Sequence, residues 1–470
     1  MFAKTENHQP GMLSSLLRSS TRLFLIAVAI FLARPNSALA QEDARTQQSA
    51  NSPPNIVFII ADDMDYEHFG FMGSQTAKTP AIDRLAESGF TFSTAHLPMS
   101  RCHPTLASFL SGRYPHQSGI YYNYGTAKLS PENSLPNQLK AAGYATFVTG
   151  KYWEGDPREM GFTHGLGKDT TLVRQGQDSV NAFLDEVGGK QPFLLWWAPL
   201  LPHTPHNPSE ERLALFPRSE IPIPEWLTGR RQQYRNREQK SLAMETWLDD
   251  GVADLMSQLE TRGLRENTLV VFLVDNGWCN GLISKGSPFE KGVRTPVIFN
   301  WPGTVAQGTS DELISTLDVF PTMLEFAGLT PAEDLPGRSL SPVVRSESEA
   351  DYTFRQELFG AIYPAFVTEG DERPERDVYA LYVRTQEWKY ILYVQDVVQE
   401  RNRDYFRIQS ILTDYPTRAA GDEDLYRLTD DPHELNNLAT KQENAEQLKQ
   451  FRAQVLRWWE ETGGKPLGVN

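Results

Sequence analysis

Long uninterrupted runs of apolar residues alternate along the chain with segments in which apolar and polar positions recur at helical spacing. The continuous runs are rich in β-branched residues, which is typical of strands buried on both faces of a parallel sheet. They predict strands over 55–61, 145–149, 192–198, 268–274 and 297–301. The segments between them predict helices over 79–89, 135–143, 177–187, 241–262 and 318–328, several of them ended by glycine.

From about residue 365 the pattern changes to short stretches in which apolar and polar residues alternate, which favours antiparallel strands. These stretches are followed by an amphipathic closing helix, and the elements predicted here are strands over 377–383, 388–394 and 424–428 and a helix over 443–461. The sequence therefore predicts an α/β fold with a doubly wound, mostly parallel sheet flanked by helices over 54–364. A smaller C-terminal α+β domain over 365–470 would contain a short antiparallel sheet.

The first forty residues have the pattern of a secretory signal peptide. Arg18 and Arg22 precede an apolar run over 23–33, which is too short to span a bilayer and leads to Ser37-Ala38-Leu39-Ala40. We predict a signal peptide over 1–40 with cleavage near Ala40, an exported (periplasmic or secreted) protein, and no membrane span in the mature chain. The alternative is an uncleaved anchor. Residues 41–53 are polar and are predicted to be a disordered leader.

The formal net charge of −15 over 470 residues argues against broad binding of nucleic acid. Any anionic substrate must therefore meet locally placed cations. A basic run over 229–240 lies at the end of a predicted insertion over 207–240. Such a run is usually a solvated face, but beside an active site it could hold an anionic polymer.

Carboxylates follow two of the buried strands directly. Asp62 and Asp63 end the first strand, and Asp275 and Asn276 end the strand over 268–274. The carboxyl ends of strands in open α/β sheets are where ligands bind. Carboxylate and amide oxygens suit a hard cation such as Ca²⁺ or Mg²⁺ and are unsuited to zinc. The alternative interpretation of the first pair is a turn and helix cap.

Cys102 is predicted to stand just before a helix over 105–110 that Gly112 ends. A thiol in that position can be activated by the helix dipole and exposed amides. Two other interpretations are open, a small buried core residue and a disulfide with Cys279, the second of the two cysteines in the chain.

Three further candidates, Lys151, His203 and Lys285, lie on loops that leave the same sheet edge. A cation, a nucleophile and several positive donors suit displacement at an oxyanion such as a sulfate or phosphate ester.

With these motifs the chain resembles the type I, formylglycine-dependent sulfatases of the alkaline-phosphatase superfamily. The resemblance extends from residue 54 to about residue 439. It rests on NIVFIIADD (55–63), TPAIDRLAESG (79–89), CHPTLASFLSGRYPHQSG (102–119), GK (150–151), PHTPH (202–206), DNG (275–277), KGSPFEKGVRTP (285–296), DVFPTMLEFAGL (318–329) and DLYRLTDDPHELNNLA (424–439).

The resemblance implies a role for each candidate residue. Cys102 would be oxidised by a formylglycine-generating or equivalent maturation enzyme, and the hydrate of the aldehyde would be the nucleophile. A divalent cation, usually calcium with magnesium as the alternative, would be held by Asp62, Asp63, Asp275, Asn276 and residue 102. Lys151, His203 and Lys285 would contact the sulfate or the leaving oxygen, with His203 as the candidate acid. His206 would be structural or a rim contact.

Two positions depart from the family pattern. Leu106 stands where the motif C-x-P-S/T-R has arginine, and Trp153 stands where a histidine usually follows the lysine by two residues. Both changes remove a polar contact from the expected sulfate site. Arg101 and His103 are candidates to compensate.

The resulting prediction is a sulfuric ester hydrolase that removes sulfate from a sulfated carbohydrate or another sulfate ester. The alternatives are a phosphodiesterase or phosphonate monoester hydrolase of the same superfamily, and a non-catalytic carbohydrate-binding relative. The retained set of three carboxylates argues against the last, because an idle site has no need to hold like charges together.

Overall fold

The computed structural model describes residues 53–125, 127–165, 167–345, 352–364, 377–397 and 417–469. The predicted signal peptide and all but the last residue of the predicted leader lie outside these ranges. Within the described part of the chain, every helix is too short or too polar to cross a bilayer.

The central element is an eight-stranded sheet. Its strands are β1 (Asn55–Ala61), β2 (Phe90–His96), β3 (Ala145–Gly150), β4 (Phe193–Ala198), β5 (Thr268–Val274), β6 (Arg294–Asn300), β7 (Gly308–Ser310) and β8 (Ile314–Ser315). The order is β3-β4-β1-β5-β6-β2-β7, with β8 also paired to β2, and β6 runs antiparallel to both of its neighbours. The predicted mostly parallel sheet is confirmed. β2, β7 and β8 were not predicted, because β2 mixes polar and apolar residues and the other two are very short.

Helices cover both faces of this sheet. They are α1 (Pro80–Glu87), α2 (Cys102–Ser111), α3 (Pro115–Ser118), α4 (Leu135–Ala141), α5 (Asp178–Val187), α6 (Glu210–Ala214), α7 (Arg231–Thr261), α8 (Glu290–Val293), α9 (Val319–Phe326) and α10 (Ser341–Val344). Separate apolar cores lie on the two faces: Phe58 and Trp196 contribute to one, and Val57 and Trp197 to the other. Every residue of β1, β4 and β5 is buried, as their continuous apolar sequences predict.

Two helices begin earlier than predicted. α2 starts at Cys102 itself, so this residue lies in the first turn, where Pro104 is compatible with helical geometry. α7 starts at Arg231, so most of the basic run belongs to a helix and not to the insertion that the sequence suggested. Tyr234 and Glu238 are buried on this helix, which shows that tertiary packing extends it into a charged sequence.

The C-terminal region contains a four-stranded antiparallel sheet, β12-β11-β10-β9, covered by a closing helix. Its elements are β9 (Leu358–Ile362), β10 (Ala380–Arg384), β11 (Trp388–Tyr393), β12 (Glu423–Arg427) and α11 (Ala445–Glu461). The predicted antiparallel sheet is confirmed. It also recruits β9, which precedes residue 365 and shows too few alternating positions to be recognised.

A buried network of charges joins this small sheet to the large one. The Glu290 carboxylate on α8 lies 2.9 Å from Nε2 of His96, 3.0 Å from Nζ of Lys389 and 3.4 Å from Nε of Arg384. The Glu290 N–H donates to Oε2 of Glu434 at 2.6 Å. We call these five residues the Glu290 network.

Candidate functional site

The carboxylates of the first and fifth strands meet because β1 and β5 are adjacent and parallel. Ala61 is paired with Val274, the last residue of β5. The Asp275 N–H donates to the Ala61 carbonyl at 3.0 Å, and the Asp63 N–H donates to Oδ1 of Asp275 at 3.2 Å. The sequence expectation that both acidic pairs reach one sheet edge is therefore met in the structure.

Two buried lysines enter the same cluster. Nζ of Lys151 contacts Asp62 and lies 2.7 Å from Oδ2 of Asp275, and Nζ of Lys285 contacts Asp63. Lys151 reaches its place through Gly150, whose φ is 92°. A Cβ on Gly150 would stand 2.0 Å from the Ala198 carbonyl oxygen, so only glycine lets β3 approach β4 this closely there.

The charges in this cluster shift one another strongly. Burial, with Asp62 and Asp63 nearby, raises the pKa of Asp275 to about 6 despite Lys151. Asp63 is also buried, but Lys285, His203 and Lys151 outweigh that burial and hold its pKa well below its usual range. The pKa of Lys151 is held well above its ordinary value because Asp275 and Asp62 outweigh its own burial. Three carboxylates thus face two ammonium groups, and the cluster carries an excess of negative charge.

Cys102 lies beside these carboxylates in the first turn of α2. Its thiol donates to Oδ1 of Asn276 at 3.5 Å, and Nδ2 of Asn276 donates to Oδ1 of Asp63 at 2.7 Å. Burial raises the pKa of the Cys102 thiol. The expectation that the helix start activates the thiol itself is therefore wrong, because loss of water outweighs the nearby lysines.

Both cysteines are free and buried, which removes the support for a disulfide between them. Cys279 lies in the loop after β5, where its N–H donates to Oγ of Ser284 at 3.0 Å. Burial raises the pKa of its thiol to about 12. Cys279 is therefore a structural residue.

His203 borders the cluster on the loop that follows β4. Its Nδ1–H donates to the Thr204 carbonyl at 2.6 Å, which directs Nε2 to a point 3.5 Å from Oδ2 of Asp63. Arg174 donates to the carbonyls of Leu200 and His203 at 3.0 and 3.5 Å and so fixes this loop. His206 lies near the Trp278 ring, and burial lowers its pKa to about 4.

The oxygen donors at this site, from Asp62, Asp63 and Asn276, suit a hard divalent cation. Oδ2 of Asp62 and Oδ2 of Asp63 accept no hydrogen bond from any described residue, although both are buried. Ligand atoms of Asp62, Asp63, Cys102 and His203 all lie within 4.8 Å of one another. Asn276 offers its amide oxygen close by, whereas both Asp275 oxygens already accept hydrogen bonds. Buried carboxylate oxygens without donors are stabilised by a cation.

A cavity of about 260 Å³ opens from this cluster. The predicted site residues that line it are Asp62, Asp63, Cys102, Lys151, His203 and Lys285, together with Trp153, which was noted only as a departure from the family pattern. The lining residues that the sequence interpretation missed are Asn123, Tyr124, Lys168, Leu200, Thr204 and Trp278. The run of aromatic residues over 121–124 was the one signal that could have pointed to the missed wall. Lys168 and Trp278 lie on irregular loops, where no periodicity identifies a functional side chain.

The residues at the two departures from the family pattern have different surroundings. Leu106 is 2% exposed and packs in the apolar core, so it is not a site residue. Arg101 is fully buried against Gly286 and is not among the residues that line the cavity. Nε2 of His103 lies 2.8 Å from Oε1 of Glu154, and the His103 ring stacks on Trp153. Neither Arg101 nor His103 takes the place of the missing arginine inside the cavity.

A small cavity with carboxylates, lysines and a histidine at the carboxyl edge of a parallel sheet defines a hydrolase for oxyanion esters. Residues 54–329 match the sulfatase family model, and residues 280–405 match the model of the C-terminal region of N-sulphoglucosamine sulphohydrolase. The chain belongs to the sulfatase family and is a sulfuric ester hydrolase.

Individual relatives agree with this assignment. The chain is 30% identical over 396 residues to arylsulfatase A of Homo sapiens, covering 73% of this chain and 75% of that protein. It is 25% identical over 437 residues to an ulvan-active sulfatase of Formosa agariphila, covering 87% and 80%. The fold is similar to a structure solved with its substrate D-glucosamine-2-N,6-O-disulfate, with a TM-score of 0.72, 19% identity and coverage of 87% and 98%.

Proposed function

We propose that this sulfatase removes sulfate from a sulfated carbohydrate, with a formylglycine at position 102 and a bound divalent cation. The observation that carries the proposal is the position of Cys102. It lies within ligand distance of two carboxylates that have free oxygens, at a cavity that also receives two lysines and a histidine. The relative named as an ulvan-active sulfatase supports the choice of a carbohydrate.

The unmodified thiol is poorly suited to attack, because its burial disfavours the thiolate. The hydrate of a formylglycine supplies one hydroxyl for attack on sulfur and a second whose deprotonation expels sulfate. Lys151 and Lys285 bind the sulfate oxygens and stabilise the charge that develops on them. His203, with Nδ1 held by the Thr204 carbonyl, presents Nε2 to donate a proton to the leaving oxygen.

The cation would be held by Asp62, Asp63, Asp275, Asn276 and residue 102, and calcium is the ion we expect for an oxygen-rich set. When bound, the ion would supply positive charge that polarises the sulfate oxygens and lowers the pKa of the attacking hydroxyl. The excess of carboxylates over lysines in the cluster supports this role.

The test is the chemical state of residue 102. Co-expression with a formylglycine-generating enzyme should convert Cys102 to the aldehyde, detected by mass spectrometry of its peptide, and should raise hydrolysis of a small aryl sulfate. The Cys102→Ala variant should lose this activity, whereas Cys279→Ala, the matched control, should retain it. Chelation with EDTA should abolish turnover and added Ca²⁺ should restore it.

Full sulfate release by Cys102→Ala would overturn the proposal. Faster hydrolysis of an aryl phosphonate than of the matching aryl sulfate would favour the phosphonate hydrolase alternative. We also propose export after cleavage near Ala40. N-terminal sequencing of the exported protein should begin at Gln41, and a retained N-terminus would support the uncleaved anchor.

A further inference from the structure

The mouth of the cavity is formed by two aromatic rings in contact. The rings of Tyr124 and Trp153 meet edge to face, with centroids 5.5 Å apart and an interplanar angle of 73°. Tyr124 is 59% exposed, the largest exposure among the large hydrophobic side chains of the described residues. Both side chains line the cavity that contains Cys102. We call this pair the aromatic shelf.

The shelf is held in place from behind. The His103 ring lies parallel to Trp153, at 5.5 Å between centroids and 12° between planes. His103 is itself fixed, because its Nε2 pairs with Oε1 of Glu154 at 2.8 Å and its N–H donates to Oδ1 of Asn123 at 3.1 Å. The Glu154 side chain is only 4% exposed. The hydrogen bond to Glu154 thus orients the residue on which Trp153 stacks, as expected for a built binding surface.

Two polar groups at the shelf have no hydrogen-bond or ion-pair partner among the described residues. Nε1 of Trp153 is buried and has no hydrogen-bond acceptor there. The ammonium group of Lys168 lies 5.6 Å from the centre of the Trp153 ring, lines the same cavity and forms no ion pair with a described carboxylate. Buried donors without acceptors are rare in folded proteins, and a ligand that supplies an acceptor accounts for Nε1 of Trp153. Lys168 is exposed and can reach an anionic group of the same ligand.

We propose that the aromatic shelf binds the sugar ring that carries the scissile sulfate, and that Lys168 binds a second anionic group on the same saccharide. The inference rests on the proposed function and names its substrate class, a saccharide with at least two anionic groups. An aromatic face packs against the apolar C–H face of a sugar, while the indole N–H donates to a ring hydroxyl. Lys168 adds a charge-assisted contact to a sulfate or carboxylate.

The charge distribution favours such a ligand at this place. The formal net charge of the chain is −15, which disfavours general binding of a polyanion. Lys151, Lys285 and Lys168 nevertheless all line one cavity. The first two contact the carboxylate cluster, so Lys168 is the lysine available to a group outside the scissile sulfate.

Binding to the Cys102→Ala protein in Ca²⁺ tests the inference without turnover. The ligands are a monosulfated monosaccharide, its disulfated analogue and a monosulfated disaccharide that carries a uronate. We expect one of the two dianionic ligands to bind about tenfold tighter than the monosulfated sugar, a ratio that corresponds to about 1.4 kcal/mol. Tighter binding of the disulfated sugar would identify the second anionic group as a sulfate. Tighter binding of the disaccharide with a uronate would identify it as a carboxylate.

A second substitution on that background isolates Lys168. Lys168→Gln should reduce the tenfold preference to near unity, whereas Lys140→Gln, an exposed lysine on α4, should leave it intact. An unchanged preference in Lys168→Gln, or equal binding of all three ligands by the parent, would overturn the inference.

Turnover by the matured enzyme tests the shelf. Trp153→Ala should lower kcat/KM for the saccharide at least tenfold more than for a small aryl sulfate, chiefly through KM, and Trp153→Phe should recover part of the loss. Equal losses on both substrates would overturn the shelf. Failure of the wild-type protein to hydrolyse any sulfate ester would instead refute the proposed function, and the binding comparison would still judge the subsite.

Discussion

Two buried clusters in this molecule both combine carboxyl groups with cationic side chains but differ in the balance of charge. The cavity cluster places Asp62, Asp63 and Asp275 against two lysines, Lys151 and Lys285. The Glu290 network places one carboxylate against Lys389 and Arg384, because burial raises the pKa of its second carboxyl group, Glu434, to about 8. His96 adds no charge at neutral pH, because burial lowers its pKa to about 4 despite Glu290.

The difference shows how the chain separates binding from stability. Glu290 is surrounded by cationic and hydrogen-bonding partners that hold its pKa well below its usual range in spite of burial. The network therefore joins the two sheets without an additional ion. The cavity cluster keeps more negative than positive charge, which costs stability until a cation binds. In the proposed mechanism the site retains this imbalance because the cation takes part in catalysis.

The largest expected effect comes from removing one carboxylate from the cavity cluster. Asp275→Asn should lower kcat/KM about a thousandfold, since the cation and Lys151 both lose a charged partner. In EDTA the same variant should unfold at an equal or higher temperature than the wild type, because repulsion with Asp62 and Asp63 is relieved. Kinetics on an aryl sulfate measure the change in kcat/KM, and calorimetry in EDTA measures the unfolding temperature. A clear loss of stability in EDTA would contradict the proposed imbalance.

The opposite result is expected for the Glu290 network. Glu290→Gln should lower the free energy of unfolding by about 3 kcal/mol, because two buried cations lose their carboxylate. Folded Glu290→Gln protein should retain most of its turnover, since Glu290 is not among the cavity residues. Denaturant unfolding and activity below the transition test this separation, and a loss of activity without a loss of stability would refute it.

Stabilisation of the folded protein by Ca²⁺ should also differ between variants of the two clusters, by a smaller amount. At a hundredfold excess over its dissociation constant, Ca²⁺ should stabilise the folded wild type by about 2.7 kcal/mol. Glu290→Gln should show the same gain and Asp275→Asn much less, since only the latter lacks a proposed ligand. Thermal unfolding with and without Ca²⁺ gives the comparison, and equal gains in both variants would place the ion elsewhere.

The smallest effect concerns pH. Burial, with Glu290 nearby, raises the pKa of Glu434 to about 8 from 4.5 despite Lys389. The folded state therefore binds the proton more tightly, and this contribution to stability is complete below pH 4.5 and is lost as the pH rises to about 8. Glu434→Gln keeps this side chain neutral at every pH. The variant should therefore lose about 1 kcal/mol or more of the change in unfolding free energy with pH over this range. Unfolding of both proteins at pH 6 and pH 8.5 is the measurement, and parallel profiles would exclude this role.

The parts of the molecule that the sequence predicted are those where one physical requirement dominates. β1 and β5 are buried on both faces, so their apolar runs fix their bounds, and the acidic pairs that follow must meet. The partners of Lys151 could not be predicted, because they depend on how β3 and β4 approach at Gly150. Lys168 and Tyr124 were missed because loop geometry alone brings them to the cavity.

The start of α7 shows a second limit. Its basic residues suggested a solvated loop, yet Glu238 pairs with His68 at 2.9 Å and becomes buried on a helix. Long-range contacts of this kind override local composition. The predicted domain boundary at residue 365 stays a prediction, although the small sheet includes β9.

All ten residues of α2 are buried, which limits when Cys102 can be modified relative to folding. The proposed oxidation of Cys102 requires access to a side chain that is 2% exposed and that the folded protein reaches only through a small cavity. Under the proposed maturation, modification and folding would therefore compete, and the faster one would decide the state of residue 102 in each molecule. A chain that folds first keeps its thiol for as long as it stays folded. The fraction of active protein in a preparation would then depend on the relative rates of modification and folding during synthesis.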